Sequence, residues 1–276
     1  IKTARAGTGS TSTLTFGTLE RSLGATVDFM GVDLLGGNVD TALVGSVGEN
    51  TRNQLLFTES PVLDNGIIGG WATIDNEWAT YTDSMGVSRY DDLLYEDRDD
   101  TNWTFTDNVK LRVNRSFSTL RAINSLNFQT NGLTRDLSFT GGRLSIESGG
   151  ILASSGTSNI GLTTGNSGFL TAGTAKDSLT TLNVINNGTV NINVPIRDFS
   201  TTINAPAVLK DGIAVTMPNV IGLLVGMEVS GSGLLEGTRI AKIDTSNNII
   251  TLTAPLQSTI PANTVWSFQG GSVGLT

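Results

Sequence analysis

Cysteine and histidine are both absent from this 276-residue chain. That excludes thiolate nucleophiles, disulfides, Cys/His zinc sites and imidazole acid–base chemistry. Charge is scarce too: 15% of residues are charged, against about a quarter in ordinary soluble domains. The formal net charge is −8 and no run of Lys and Arg alternates with aromatics, so a phosphate-binding footprint is missing and nucleic acid is not an expected partner. No apolar run approaches the roughly 18 to 20 residues that cross a bilayer, so no membrane span is expected in this chain. The opening Ile1-Lys2-Thr3-Ala4-Arg5 has neither an initiating Met nor a signal-peptide apolar stretch, and the expectation is a mature or excised piece. Long stretches with apolar residues at a 3.6-residue spacing are hard to find, which removes helix as the main element.

Thr, Ser, Asn and Gly fill the polar positions, with 33 Gly, and 38% of residues are hydrophobic. This composition builds many short strands joined by tight turns and can bury a continuous core, so the fold class is all-β. Over residues 1–60 the alternation in Leu14-Thr15-Phe16, Ala25-Thr26-Val27-Asp28-Phe29 and Gln54-Leu55-Leu56-Phe57 predicts three or four strands, read as successive edges of a solenoid. Gly36-Gly37-Asn38 and Val47-Gly48-Glu49-Asn50 carry turn chemistry between them.

Residues 61–108 differ in texture. They hold Trp71, Trp78 and Trp103, all three Tyr (Tyr81, Tyr90, Tyr95) and ten of the 25 acids, between Asp75 and Asp107. We read this as an aromatic and acidic insertion or cap. Trp71-Ala72-Thr73 recurs as Trp78-Ala79-Thr80 with Asp75-Asn76-Glu77 between, which predicts a hairpin that brings the two indoles together.

The clearest pattern occupies residues 109–204. Leu126-Asn127-Phe128, Leu137-Ser138-Phe139, Leu144-Ser145-Ile146, Ile160-Gly161-Leu162, Leu182-Asn183-Val184 and Val190-Asn191-Ile192-Asn193-Val194 each place apolar side chains on one face. Asn131-Gly132, Gly141-Gly142, Gly149-Gly150, Gly165-Asn166 and Asn187-Gly188 supply turns between them. A single circuit of such triplets buries too little to offset its chain entropy, so circuits must stack on one another. The expected architecture is a right-handed parallel β-helix, or solenoid. From 205 to 268 longer strands with antiparallel-style turns, notably Asp244-Thr245-Ser246-Asn247-Asn248, predict a small additional β module, and 269–276 a return to the solenoid.

Three groups of residues are candidates for a site. Asp-rich loops supply the oxygen ligands that hard cations need, which makes Asp97, Asp99 and Asp100 calcium candidates. The stretch lacks the spacing of an EF-hand and the repeats of a calcium-binding β-roll, and the plain alternative is a solvated acidic loop. Trp71, Trp78 and Tyr81 could stack on sugar rings, the plain alternative being an aromatic cluster packed against the solenoid end. Polysaccharide cleavage needs paired carboxylates, and between 109 and 200 the acids Asp136, Glu147, Asp177 and Asp198 are too scattered to name a pair. No cofactor other than that calcium is expected, and no catalysis.

The run Gly66-Ile67-Ile68-Gly69-Gly70-Trp71-Ala72-Thr73, followed by Glu77-Trp78-Ala79-Thr80-Tyr81, resembles a motif of large bacterial proteins that carry autotransporter-associated β-strand repeats. Ser125-Leu126-Asn127-Phe128, the Leu144 to Leu152 passage and the closing Gly274-Leu275-Thr276 fit the same pattern, and the likeness covers roughly 50–200. Leu223 to Leu252 is similar to a second module, of a Val-Gly-Met-x-Val-Ser-Gly-x-Gly type, found in bacterial and phage surface proteins. The resemblance implies a β-helical, passenger-like protein, secreted or held at the cell surface, with no catalytic residues to carry over. The expected function is therefore a self-associating structural component of a fibre, sheath or surface layer. The alternative is an adhesin that binds cell-surface glycans or, behind it, a polysaccharide-degrading enzyme.

Overall fold

A computed structural model describes residues 1–5, 12–33, 53–97, 103–139, 141–162, 168–173, 179–198, 200–220, 223–270 and 272–275. Among them every regular element is a strand, and parallel sheets dominate the first two thirds of the chain. No described helix is long and apolar enough to cross a membrane. The turns expected at Gly36-Gly37-Asn38, Val47 to Asn50 and Gly165-Asn166 lie outside the described residues.

At the N-terminal end β1 (Lys2–Arg5) pairs in parallel with β3 (Val27–Asp33), and β2 (Ser12–Phe16) with β4 (Asn53–Phe57). The β3 strand then pairs in parallel with β5 (Ala72–Ile74), which opens an antiparallel meander through β6 (Glu77–Thr82) and β7 (Gly86–Arg89). The turn between β5 and β6 is Asp75-Asn76, at φ 52° and 61°. A two-residue hairpin turn of type I′ needs positive φ at both central positions, and short polar side chains tolerate it. Phe29, Leu55, Ile74, Ala79 and Val87 form the core of this part.

The next strands are β8 (Asn108–Leu111), β9 (Arg115–Phe117), β10 (Leu120–Phe128), β11 (Thr134–Phe139), β12 (Arg143–Ala153), β13 (Thr157–Ile160), β14 (Phe169–Ala172), β15 (Leu179–Asn186) and β16 (Thr189–Ile192). One sheet runs β15-β12-β10-β8 with β14 also on β12, the other β16-β13-β11-β9, and every pairing is parallel. The chain alternates between the two sheets, so each passage lays a strand on an earlier one. Like stacks on like: Val109, Leu126, Ile151 and Val184 in one sheet, Leu137, Ile160 and Ile192 in the other. Their inward side chains form a single core with Phe117, Phe128 and Phe139. On the outward face a file of polar side chains is hydrogen-bonded rung to rung, Asn191 to Asn159 at 2.8 Å, Asn159 to Asp136 at 2.7 Å and Asn114 to Asp136 at 3.3 Å.

Strand β12 turns a corner. Its first half pairs with β14 and its second half with β15, and between Ile123 and Ser125 of β10 the partner residue jumps from Ile146 to Gly150. The extra residues form a bulge at Glu147-Ser148-Gly149, with Gly149 at φ 75°. Gly149-Gly150, expected as a turn between triplets, is thus a bend inside one long strand. The Ile160-Gly161-Leu162 triplet also shortens: β13 ends at Ile160, Gly161 takes φ 77°, and Leu162 is exposed.

The chain then builds β17 (Ser200–Ala205), β18 (Ala214–Thr216), β19 (Glu228–Gly231), β20 (Ile240–Asp244), β21 (Ile249–Leu252) and β22 (Thr264–Gln269). These form two antiparallel three-stranded sheets, β17-β22-β19 and β18-β21-β20. Trp266, Phe268, Met217, Met227, Ile250 and Leu256 are among their buried residues, in a cluster that also takes in Ala122 and Phe169 from the parallel sheets. Finally β23 (Ser272–Leu275) returns to pair in parallel with β15.

Candidate functional site

The residues from Asp64 to Asp97 dock on the bulged side of the parallel sheets, and at one point of the contact backbone meets backbone. A Cβ built on Gly70 would lie 2.3 Å from the Gly150 nitrogen, and one on Gly150 would lie 2.4 Å from the Gly70 Cα and 2.8 Å from Cη2 of Trp78. Only paired glycines admit so close an approach. Around it the sheets present buried amides. Asn108 Nδ2 donates to the Asn65 carbonyl at 2.8 Å, Asn124 Nδ2 to the Asp64 carbonyl at 3.1 Å, and Ser148 Oγ to the Asn124 carbonyl at 2.7 Å.

A second polar group lies further along the same two strands, β8 and β10. Lys110 is 4% exposed, and its Nζ contacts Glu77 Oε1 at 2.5 Å and Asp92 Oδ1 at 2.7 Å. Asn127 Nδ2 donates to Glu77 Oε2 at 2.8 Å, and the Tyr95 hydroxyl donates to the same oxygen at 2.8 Å. Burial first, and then the Glu77 charge, push the Tyr95 hydroxyl well above the ordinary phenol range, so it stays protonated and keeps donating. The hydrogen bond from Lys110 holds the Asp92 carboxyl below the usual range. A buried lysine of this kind is stable only because its charge is met at close range.

The bulge carries a third feature. Glu147 accepts from Ser145 Oγ at 2.7 Å. Burial, offset in part by that bond and reinforced by the Asp64 charge, raises its carboxyl to about 7. Unfolded, the same group titrates near its ordinary value of 4.5. The folded state therefore holds the extra proton between those values, and stability falls as pH rises through this window. The loss is on the order of 3 kcal/mol. Glu147→Gln is expected to flatten that fall and to raise the urea midpoint above about pH 8 relative to the parent chain. Unfolding curves at a series of pH values check it, and an unchanged slope would refute it.

The residues singled out for sugar stacking do not form one surface. The expected hairpin forms, but its register sets Thr73 opposite Trp78, and the two indoles enter different clusters, Trp71 beside Phe29 and Ile74, Trp78 beside Ile67, Tyr95 and Leu152. Trp78 is fully buried, and Tyr81 is buried with its hydroxyl bonded to both the nitrogen and the carbonyl of Phe57 at 3.1 Å. Trp71 keeps some surface, with the Arg21 guanidinium 5.2 Å above its ring. A sugar face thus finds no aromatic platform of three residues.

Of the calcium candidates, Asp97 is ion-paired to Arg112 at 2.6 Å, so a guanidinium already occupies its carboxylate. Asp99 and Asp100 lie outside the described residues. Among the described residues no three acids gather as a metal-binding group.

Sequence reasoning missed the Glu77, Tyr95, Lys110 and Asn127 group. One signal was present: Lys110 stands between Val109 and Leu111 as Asn127 stands between Leu126 and Phe128, polar residues at the outward position of strands that are otherwise buried.

Comparison with protein-family models, curated proteins and solved structures finds no match.

Proposed function

We propose that the chain is a rigid segment of an extracellular or cell-surface assembly, a right-handed parallel β-helix whose coils stack into a rod and whose rods associate with copies of themselves. The observation that carries this reading is the alternation of the chain between two parallel sheets, rung upon rung, with apolar files inside and the Asn114, Asp136, Asn159, Asn191 file outside. Such a structure grows along one axis; the Glu96 backbone already bridges the β8 edge, so a further strand would pair at the opposite end, beside β16. The docked Asp64 to Asp97 segment and the antiparallel unit sit as lateral additions on that axis. The resemblance to autotransporter-associated repeats supports the same class.

Light scattering over a wide concentration range, with electron microscopy of the same samples, tests the proposal. Mass should rise with concentration and the particles should be elongated. A single monomeric mass throughout, with compact particles, would remove self-association from the reading.

A further inference from the structure

Lys110 on β8 and Asn127 on β10 are direct partners in the parallel register. Their exposures are 4% and 1%, so water has little access to either. The Glu77 carboxylate bridges them, with Oε1 at 2.5 Å from Lys110 Nζ and Oε2 at 2.8 Å from Asn127 Nδ2. The Tyr95 ring covers Lys110 Nζ at 4.8 Å from its centroid, and its hydroxyl lies 3.3 Å from Asn127 Nδ2. A buried amine and a buried carboxamide on adjacent strands, with a carboxylate of β6, 21% exposed, touching both nitrogens, are the groups an amide exchange requires.

We propose that Lys110 and Asn127 join in an intramolecular isopeptide bond, with Glu77 moving the protons. The Lys110 ammonium passes one proton to Glu77 Oε1, which frees the Nζ lone pair. Nζ attacks Cγ of Asn127, forming the Nζ–Cγ bond and a tetrahedral centre. Glu77 returns its proton to Nδ2, and the Cγ–Nδ2 bond breaks to release ammonia as the carbonyl re-forms. A second Nζ proton passes through the same carboxylate to that ammonia, which leaves as ammonium. One ammonium ion replaces the lysine charge, Glu77 ends as it began, and nothing is oxidised or reduced. Weak screening in the buried setting strengthens the Glu77 contacts to both nitrogens, and the fixed register supplies the proximity that a free amine and amide lack in solution.

Asp92 also touches Lys110 Nζ, at 2.7 Å, but its carboxylate is 62% exposed and anionic, which makes it the poorer electrophile. The two outcomes differ in mass, since condensation with Asp92 would release water.

Intact-mass spectrometry of the denatured chain is the test. The parent chain should be lighter than its sequence by one ammonia, and digestion should release a branched peptide that joins Lys110 to Asn127. Lys110→Arg and Glu77→Gln should each restore the full mass, with circular dichroism reporting whether each variant folds. The parent reading does not depend on the variants. Full sequence mass in the folded parent chain would overturn the proposal. So would an ammonia loss that persists in Lys110→Arg, which would place it at an Asn-Gly step, and so would a loss of water with a branch at Asp92.

Discussion

Gly150→Ala is expected to destabilise the chain by about 3 kcal/mol, the upper part of the range for overpacking, and to loosen the Asp64 to Asp97 segment from the parallel sheets. The added methyl would meet the Gly70 Cα at 2.4 Å, Cη2 of Trp78 at 2.8 Å and the Gly70 carbonyl at 3.0 Å. Two of these three atoms are backbone, so no rotamer change relieves the overlap. Gly132→Ala makes the useful contrast. Nothing lies within 4 Å of its Cβ, but its φ is 80°, so the expected cost is that of left-handed backbone alone, about 1 kcal/mol. Urea unfolding of both variants, with hydrogen exchange across residues 64–97, separates steric from conformational cost. Equal losses in the two variants would mean that the glycine contact does not hold the segment in place.

Phe139→Ala is expected to cost about 3 to 5 kcal/mol, the range for emptying a buried aromatic site. Phe139 is fully buried, sits in register with Phe117 on the neighbouring strand, and packs on it with ring centroids 4.6 Å apart. The two parallel sheets share one buried cluster, so a cavity at Phe139 weakens its neighbours as well. In a double-mutant cycle, Phe117→Ala and Phe139→Ala should couple by about 0.5 to 1.5 kcal/mol, the worth of an aromatic pair beyond its area. Additive losses would show that the two rings do not support one another.

The strands were legible where alternation is local. Leu126-Asn127-Phe128, Leu137-Ser138-Phe139 and Leu144-Ser145-Ile146 carry their own inward and outward assignment, and all three fall in β10, β11 and β12. The longer strands expected after residue 205 do not form, since β20 and β21 have 5 and 4 residues against 9 and 11 in β10 and β12, but the antiparallel texture was readable from the Asp244 to Asn248 turn. Gly149-Gly150 was not, because a glycine pair is the same signal for a turn and for a bulge, and only the jump in pairing from Ile146 to Gly150 distinguishes them. The indole pairing failed for a related reason. The Asp75-Asn76 turn fixes Thr73 against Trp78, one register step that a repeated Trp-Ala-Thr motif does not encode.

The site was less legible than the fold. Glu77, Lys110 and Asn127 are separated in sequence and meet only because β8 and β10 stack in parallel while the hairpin folds over them. The coupling of Glu147 to Asp64 has the same origin, and no spacing rule anticipates a partner set by a bulge. Trp71, Trp78 and Tyr81 were noticed for their size. Their size is also what commits two of them to the interior, since large aromatic surface is the cheapest to hide.

The antiparallel unit has a property that concerns inheritance more than mechanics. Its first and last strands are paired, Ser200 with Gln269, and the chain resumes its place beside β15 three residues later at Ser272. An excursion whose two ends meet leaves the pairing of β23 with β15 independent of what lies between them. A change of length confined to the antiparallel unit is therefore inherited without a change of register in the parallel sheets.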